Sequence, residues 1–257
     1  MSLVVLLTDF GVRDHFVGVM KGVISQINPV LKVIDLTHDI EPQSVRQAAF
    51  VLWASRKFFP DDSIFVNVVD PGVGSERKII CGRLDNSIFL APDNGLLDYV
   101  VAEANETDFY EVTNKKFLLS TVSTTFHGRD IFAPVAAYLS RGVRLNELGG
   151  KFKYPNVALF HKKIVKGMNI GEVMYHDHFG NVTTNFLWDD WLLTENSSLK
   201  IDSKVITRFY QSYSEGETKA PVCVKGSSGL IEIAVNFGNA SRVLKSKIGQ
   251  RVTLISK

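Results

Sequence analysis

Cysteine is nearly absent from these 257 residues. Only Cys81 and Cys223 occur, in neither metal-binding nor redox spacing, so no disulfide framework is expected. Excess charge is missing too. The formal net charge is +2, too small for an electrostatic footprint on nucleic acid or an anionic membrane. No apolar run reaches membrane-spanning length. The first residues, MSLVVLLTDFG, are apolar, but the run is short, has no basic leader and ends at Asp9. It reads as a first strand rather than a signal peptide, and the expected location is cytoplasmic. Two phosphate-binding signatures are also lacking. No G-x-G-x-x-G follows a strand, and GVGSERK does not end in GK[ST]. A dinucleotide enzyme or an ordinary NTPase is therefore disfavoured.

What is present is an ordinary globular composition, 45% hydrophobic and 22% charged, enough to bury a core. The first half alternates strands and helices. Leu3 to Leu7, Lys32 to Leu36 and Ser63 to Val69 read as strands. Lys78 to Leu84 and Ser87 to Ala91 read as two more, joined through Asp85-Asn86. Helical spacing follows Asp14, Ser44 and Asp130, each a residue able to cap. This alternation predicts an α/β domain with a mostly parallel sheet over residues 1–160. Residues 161–257 hold short strands, turn signals and no convincing long helix. They predict a smaller all-β domain, antiparallel and barrel-like. The basic, polar stretch from Gly150 to Met168 reads as a link between the two.

In a parallel sheet, ligands gather beyond the carboxyl ends of the strands. Asp9, Thr37-His38-Asp39, Asp70 and Asp93-Asn94 each follow a strand, so several carboxylates are aimed at one edge. Each alone could be a cap or turn residue. Asp9 could instead accept paired hydroxyls, since a carboxylate's two oxygens suit a ribose diol. In STTFHGRDIFAP, His127 stands at a helix entrance between Phe126, able to exclude water, and Gly128, able to admit a ligand to the backbone. In YHDHFGNVTTNF, His176 and His178 could share one strand face, but no third metal ligand is near. Glu232 interrupts an apolar strand, where a lone charge should face solvent or a ligand. Ser227-Ser228-Gly229 before it could offer donors to a carboxylate.

TDFGVRDHFVG, DLTHDI, VNVVDPGVGSERK, APDNGLL, STTFHGRDIFAP, DHFGNVTTN and IEIAVNFGNA run in that order along nearly the whole chain. Together they resemble the adenosine-forming S-adenosyl-L-methionine (SAM) hydrolases, or SAM hydroxide adenosyltransferases, relatives of the fluorinase and chlorinase. The resemblance implies attack of water or hydroxide at the ribose 5′-carbon of SAM, giving adenosine and L-methionine. It also implies homotrimers with active sites between subunits, and neither metal nor cofactor. The family's catalytic set falls on Asp70, Arg77 and His127. Asp9 corresponds to the acid that holds the ribose. Asp14 and Asp177 correspond to acids near the methionine ammonium. Phe126 corresponds to an aromatic at the reaction centre. Asn181 and the strand from Val235 to Phe237 correspond to adenine contacts, and Ser227 to a carboxylate contact. The halogenating relatives carry tyrosine in place of Asp70, and tyrosine and serine in place of His127 and Gly128. Ser228 and Gln43 stand where those relatives have arginine and a stacking tryptophan. Three rivals remain on the residues alone: a halide-using adenosyltransferase, a metal-dependent hydrolase built on Asp9, His38, Asp70 and His127, and a non-catalytic SAM or adenosine sensor.

Overall fold

The computed structural model describes residues 3–160, 163–165, 168–191, 193, 196–216 and 219–255. The chain divides into two compact units, Met1–Leu159 and Phe160–Lys257.

The first unit runs β1 (Leu3–Thr8), α1 (Phe16–Ile27), β2 (Lys32–Thr37), α2 (Val45–Ser55), β3 (Ile64–Val68), β4 (Ile79–Leu84), β5 (Ser87–Pro92), α3 (Asp98–Glu103), β6 (Thr107–Glu111), α4 (Ala133–Ser140) and β7 (Lys151–Phe152). Its sheet has the order β2-β1-β3-β5-β4-β6-β7. β1 and β3 are buried along their whole length, which explains why they read as unbroken apolar runs. Side chains alternate across the sheet. Val4, Leu6, Val66 and Val68 share a core with Met20 and Ile24 of α1 and with Val135, Ala136 and Leu139 of α4. In the same sheet, Phe65 of β3 stacks on Phe89 of β5 at 4.8 Å.

The sheet is mixed rather than mostly parallel. β2, β1, β3 and β5 are mutually parallel neighbours, whereas β4, β6 and β7 add antiparallel. The reversal comes from the tight β4–β5 hairpin, where Asp85 adopts φ +48°. The supposed linker supplies β7, which pairs with β6. The four parallel strands still bring their carboxyl ends to one edge, with Asp9, His38, Asp70 and Asp93 just beyond.

The expected caps are not made. α1 begins after His15, and Asp14 lies on an exposed bend. Ser44 sits at the N-cap of α2 but its side chain makes no capping bond. Asp130 lies inside a single π-helical turn, Gly128–Phe132, ahead of α4.

The second unit runs β8 (Lys163–Val165), β9 (Met168–His176), β10 (Val182–Leu187), β11 (Ser198–Ile201), β12 (Lys204–Ile206), β13 (Phe209–Tyr210), β14 (Pro221–Lys225), β15 (Leu230–Val235), α5 (Ala240–Leu244) and β16 (Arg251–Ile255). Its nine-stranded sheet turns on the long β9. Residues Asn169–Glu172 pair with β16, and Val173–His176 pair with β10. The unit is not purely antiparallel β. β13 runs parallel to β14, and α5 is a short helix whose N-cap, Asn239, accepts from the amide of Arg242 at 2.8 Å. No helix among the described residues is long and apolar enough to cross a membrane.

Candidate active site

Two loops meet beyond the carboxyl end of β3. One leaves β3 at Val69 and carries Asp70 and Arg77. The other runs from Leu119 to Asp130 and carries Phe126 and His127. Gly74 is where they touch. It holds φ +80°, and a Cβ there would lie 2.5 Å from the carbonyl oxygen of Thr124. Only glycine supplies both the left-handed backbone and the room.

The first loop folds back so that Arg77 grips Asp70. Nε stands 2.8 and 2.9 Å from the two carboxylate oxygens, and Nη2 donates to Oδ2 as well. Both side chains are largely buried, 12% and 5% exposed. Arg77 Nη2 also lies 2.7 Å from His127 Nδ1. A guanidinium has no lone pair to offer, so Nδ1 must be the acceptor. The neutral ring then carries its proton on Nε2. Burial holds the His127 pKa below its ordinary value, and the Arg77 charge presses the same way. Asp70, Asp130 and the Ser123 backbone pull against them.

The second loop is anchored by Asp130. Its buried carboxylate takes Nε and Nη2 of Arg129 at 2.6 and 3.0 Å and the Ser123 amide at 2.8 Å. These contacts hold the Asp130 carboxyl below the usual carboxylate range despite burial. Ser123 Oγ in turn accepts the Phe126 amide at 2.9 Å. Phe126 packs edge-on against Phe10 and Phe16, with centroids 6.0 and 5.1 Å away. A Cβ on Gly128 would meet Met20 and the Phe10 ring at 3.2 Å, so its smallness also serves this packing.

Asp9, Phe10, Phe16, Gln43, Asp70, Phe126 and His127 border one cleft of about 360 Å³. Asp9 Oδ2 accepts the amide of Gln43 at 2.7 Å. Gln43 holds φ +69°, a strained backbone for a residue with a side chain. The sequence therefore points to Gln43 through its side chain, while the structure uses its main chain. The aromatic wall of Phe10 and Phe16 was not anticipated; its only signal was two phenylalanines flanking the β1–α1 turn. Asp14 does not line the cleft. A larger cleft, about 590 Å³, opens at the opposite edge of the sheet among Asp61, Arg83, Asp108 and Arg144, away from these residues.

In the second unit, Asp177 and Asn181 close the β9–β10 turn. Asp177 accepts the amide and the side-chain nitrogen of Asn181, each at 2.8 Å. Asn181, Tyr213, Val235 and Phe237 border an open groove of about 480 Å³. Phe237 is 93% exposed and holds φ +51°. Glu232 accepts from the Tyr213 hydroxyl at 2.6 Å. Burial raises its pKa, and Asp177 adds to that; the Tyr213 bond opposes it. Tyr213 had no signal in the sequence pattern. Ser227 is exposed on the turn after β14. Ser228 Oγ is buried there without a hydrogen-bond partner among the described residues.

The metal-hydrolase set does not assemble. His38 is buried and turned to Thr8 and Asp35, and His176 bonds to Ser246 at 2.9 Å. Among the described residues no group of three or more His, Cys, Asp and Glu is placed to hold a metal ion.

An apolar cleft at the carboxyl ends of parallel strands, beside a carboxylate, guanidinium and imidazole already bonded in a row, defines a small-molecule enzyme. The chain belongs to the SAM hydroxide adenosyltransferase family. The family's N-terminal domain model matches residues 4–149 and its C-terminal domain model residues 171–253. A curated relative from Salinispora tropica, named (R)-S-adenosyl-L-methionine hydrolase, is 36% identical over 95% of this chain and 94% of its own. One of the same name from Thermus thermophilus is 32% identical over 99% and 100%. A crystal structure of an uncharacterized conserved protein from Thermotoga maritima superposes with a TM-score of 0.89 at 36% identity, covering 98% of this chain and all of that one.

Proposed function

We propose that this chain hydrolyses S-adenosyl-L-methionine to adenosine and L-methionine. The observation that carries the reading is the Asp70–Arg77–His127 row beside the aromatic-walled cleft. The relatives' names point to the (R) epimer at sulfur as the one to test first.

The chemistry sets what the row must do. A water oxygen forms a bond to C5′ while the C5′–S bond breaks, its electron pair going to sulfur. The sulfonium is already a good leaving group, so methionine needs no acid to expel it. The difficulty is an in-line, poorly nucleophilic water. Asp70 and His127, rigidly joined through Arg77, can fix that water's position, which supplies the orientation component of the barrier. Neither partner is a free strong base, because Arg77 occupies Asp70 and the Nδ1 of His127. We therefore read proton loss as late. As the C–O bond forms, the water becomes strongly acidic and its proton passes to the Asp70 carboxylate, whose oxygens keep lone pairs beside the Arg77 bonds. Phe10, Phe16 and Phe126 keep bulk water from the developing bond.

Two of the other roles follow the cleft and groove: Asp9 takes the ribose hydroxyls, and Asn181 with the Val235–Phe237 segment takes adenine, a placement the exposed, strained Phe237 supports. The family resemblance assigns Asp14 and Asp177 to the methionine ammonium and Ser227 to the carboxylate, and Glu232 adjoins the groove through Tyr213. The active assembly is a cytoplasmic homotrimer whose sites draw on two subunits, without metal or cofactor. Running the reaction in ¹⁸O-labelled water with added chloride tests the reading. One ¹⁸O at the adenosine 5′-position is expected. A 5′-chlorinated nucleoside would favour the halide-using rival, and label in methionine alone would contradict attack at C5′.

A further inference from the structure

Thr8, His38 and Asp35 form a row with the outline of a hydrolytic triad. Thr8 Oγ1 lies 2.8 Å from His38 Nδ1, and His38 Nε2 lies 3.0 Å from Asp35 Oδ1. Lys21 donates to the other oxygen of Asp35 at 2.6 Å. Yet Thr8 is fully buried, so its hydroxyl reaches no substrate. The row has different work, visible in what it ties.

Nε2 faces a carboxylate and so carries the ring proton. Nδ1 is then the acceptor, and the Thr8 hydroxyl donates to it. The approach to Asp35 is close but off-line for a hydrogen bond, so Asp35 acts on the ring through its charge. Thr8 Oγ1 keeps a lone pair for the amide of Phe10, at 3.2 Å. The carbonyl of His38 accepts the amide of Gly11, at 2.8 Å. One residue therefore holds both ends of the arch from Thr8 to Gly11, and Asp9 sits within that arch. Its Oδ2 is engaged by the Gln43 amide. Among the described residues, Oδ1 accepts no hydrogen bond and is left to a ligand.

We propose that His38 is a positioning residue for Asp9, and through Asp9 for the ribose hydroxyls of the bound nucleoside. The proposal rests on the ribose-holding reading of Asp9. It makes His38 neither acid, base nor ligand. Its side chain sets the direction of a carboxylate on a neighbouring loop.

The test compares adenosine with 2′,3′-dideoxyadenosine by titration calorimetry, using the full chain. The unaltered protein is expected to prefer adenosine by about tenfold or more, because two hydroxyls on a carboxylate make charge-assisted bonds. Thr8→Val cuts the tie while nearly keeping shape, and His38→Ala removes it outright. Both are expected to lose most of that preference while binding dideoxyadenosine as before. His38→Asn, whose amide oxygen can stand in for Nδ1, is expected to restore it. Should His38→Ala fail to fold, Thr8→Val decides alone. An unchanged preference in folded Thr8→Val overturns the proposal. A preference that also survives Asp9→Ala overturns the ribose-holding role of Asp9 itself, which is a separate failure and removes the basis for His38 as well.

Discussion

Arg77 is the residue on which the site turns, because it touches both other members of the row. Burial of the ring and the Arg77 charge both hold the His127 pKa below its ordinary value. The sign is definite. Removing a positive neighbour makes protonation easier, so Arg77→Ala should move the His127 titration upward. Followed by NMR on the imidazole, the unaltered protein should titrate below 6.5, and the variant should titrate higher. A midpoint at or above 6.5 in the unaltered protein would contradict the arrangement. Asp70 was legible as an acid at the end of an apolar strand and His127 as a histidine at a helix entrance, whereas the part of Arg77 came from the resemblance of the ordered motifs. Asp14 was less legible. A cap is a matter of where the first helical turn begins, and here it begins one residue late, after His15.

Elements place these residues, and their joints are the sensitive points. The loop after β3 and the loop before α4 meet at Gly74. Gly74→Ala should cost about 1–3 kcal/mol in denaturant unfolding, for the φ strain and the clash with the Thr124 carbonyl. It should also lower kcat more than it raises KM, because a shift of about 1 Å in the row can cost about a hundredfold in rate. Unaltered stability and kcat would show that the two loops are not coupled there. The buried parallel strands were plain in the sequence, since burial on both faces makes continuous apolar runs. β6, with TDFYE, and β10, with VTTNFL, were missed because polar residues break that pattern. In β10 they are buried and satisfied instead: Thr184 donates to the Ile231 carbonyl and Asn185 accepts from the Glu172 amide, each at 2.8 Å. The β4–β5 hairpin was visible at Asp85-Asn86, and it already implied the antiparallel half of the sheet. α5 is a five-residue helix, too short for a periodic signal.

At the scale of the whole molecule, the proposed site residues are divided between the two units. The trimer proposal makes that division testable. Arg77→Ala and Asn181→Ala should each inactivate, one from each unit. Co-expressed, they should regain about a quarter of full activity if each site draws one unit from each of two neighbouring subunits. A co-expressed pair no more active than its parents would contradict shared sites. Sedimentation should give three times the chain mass of 28.6 kDa. The central claim has a more direct test. Purified, chelator-treated protein is incubated with the (R) and (S) epimers of SAM separately, and adenosine and methionine are followed by chromatography. The account predicts equal amounts of both products from at least one epimer, far above the protein-free control, with loss of turnover in Arg77→Ala. No adenosine above that control from either epimer would contradict it.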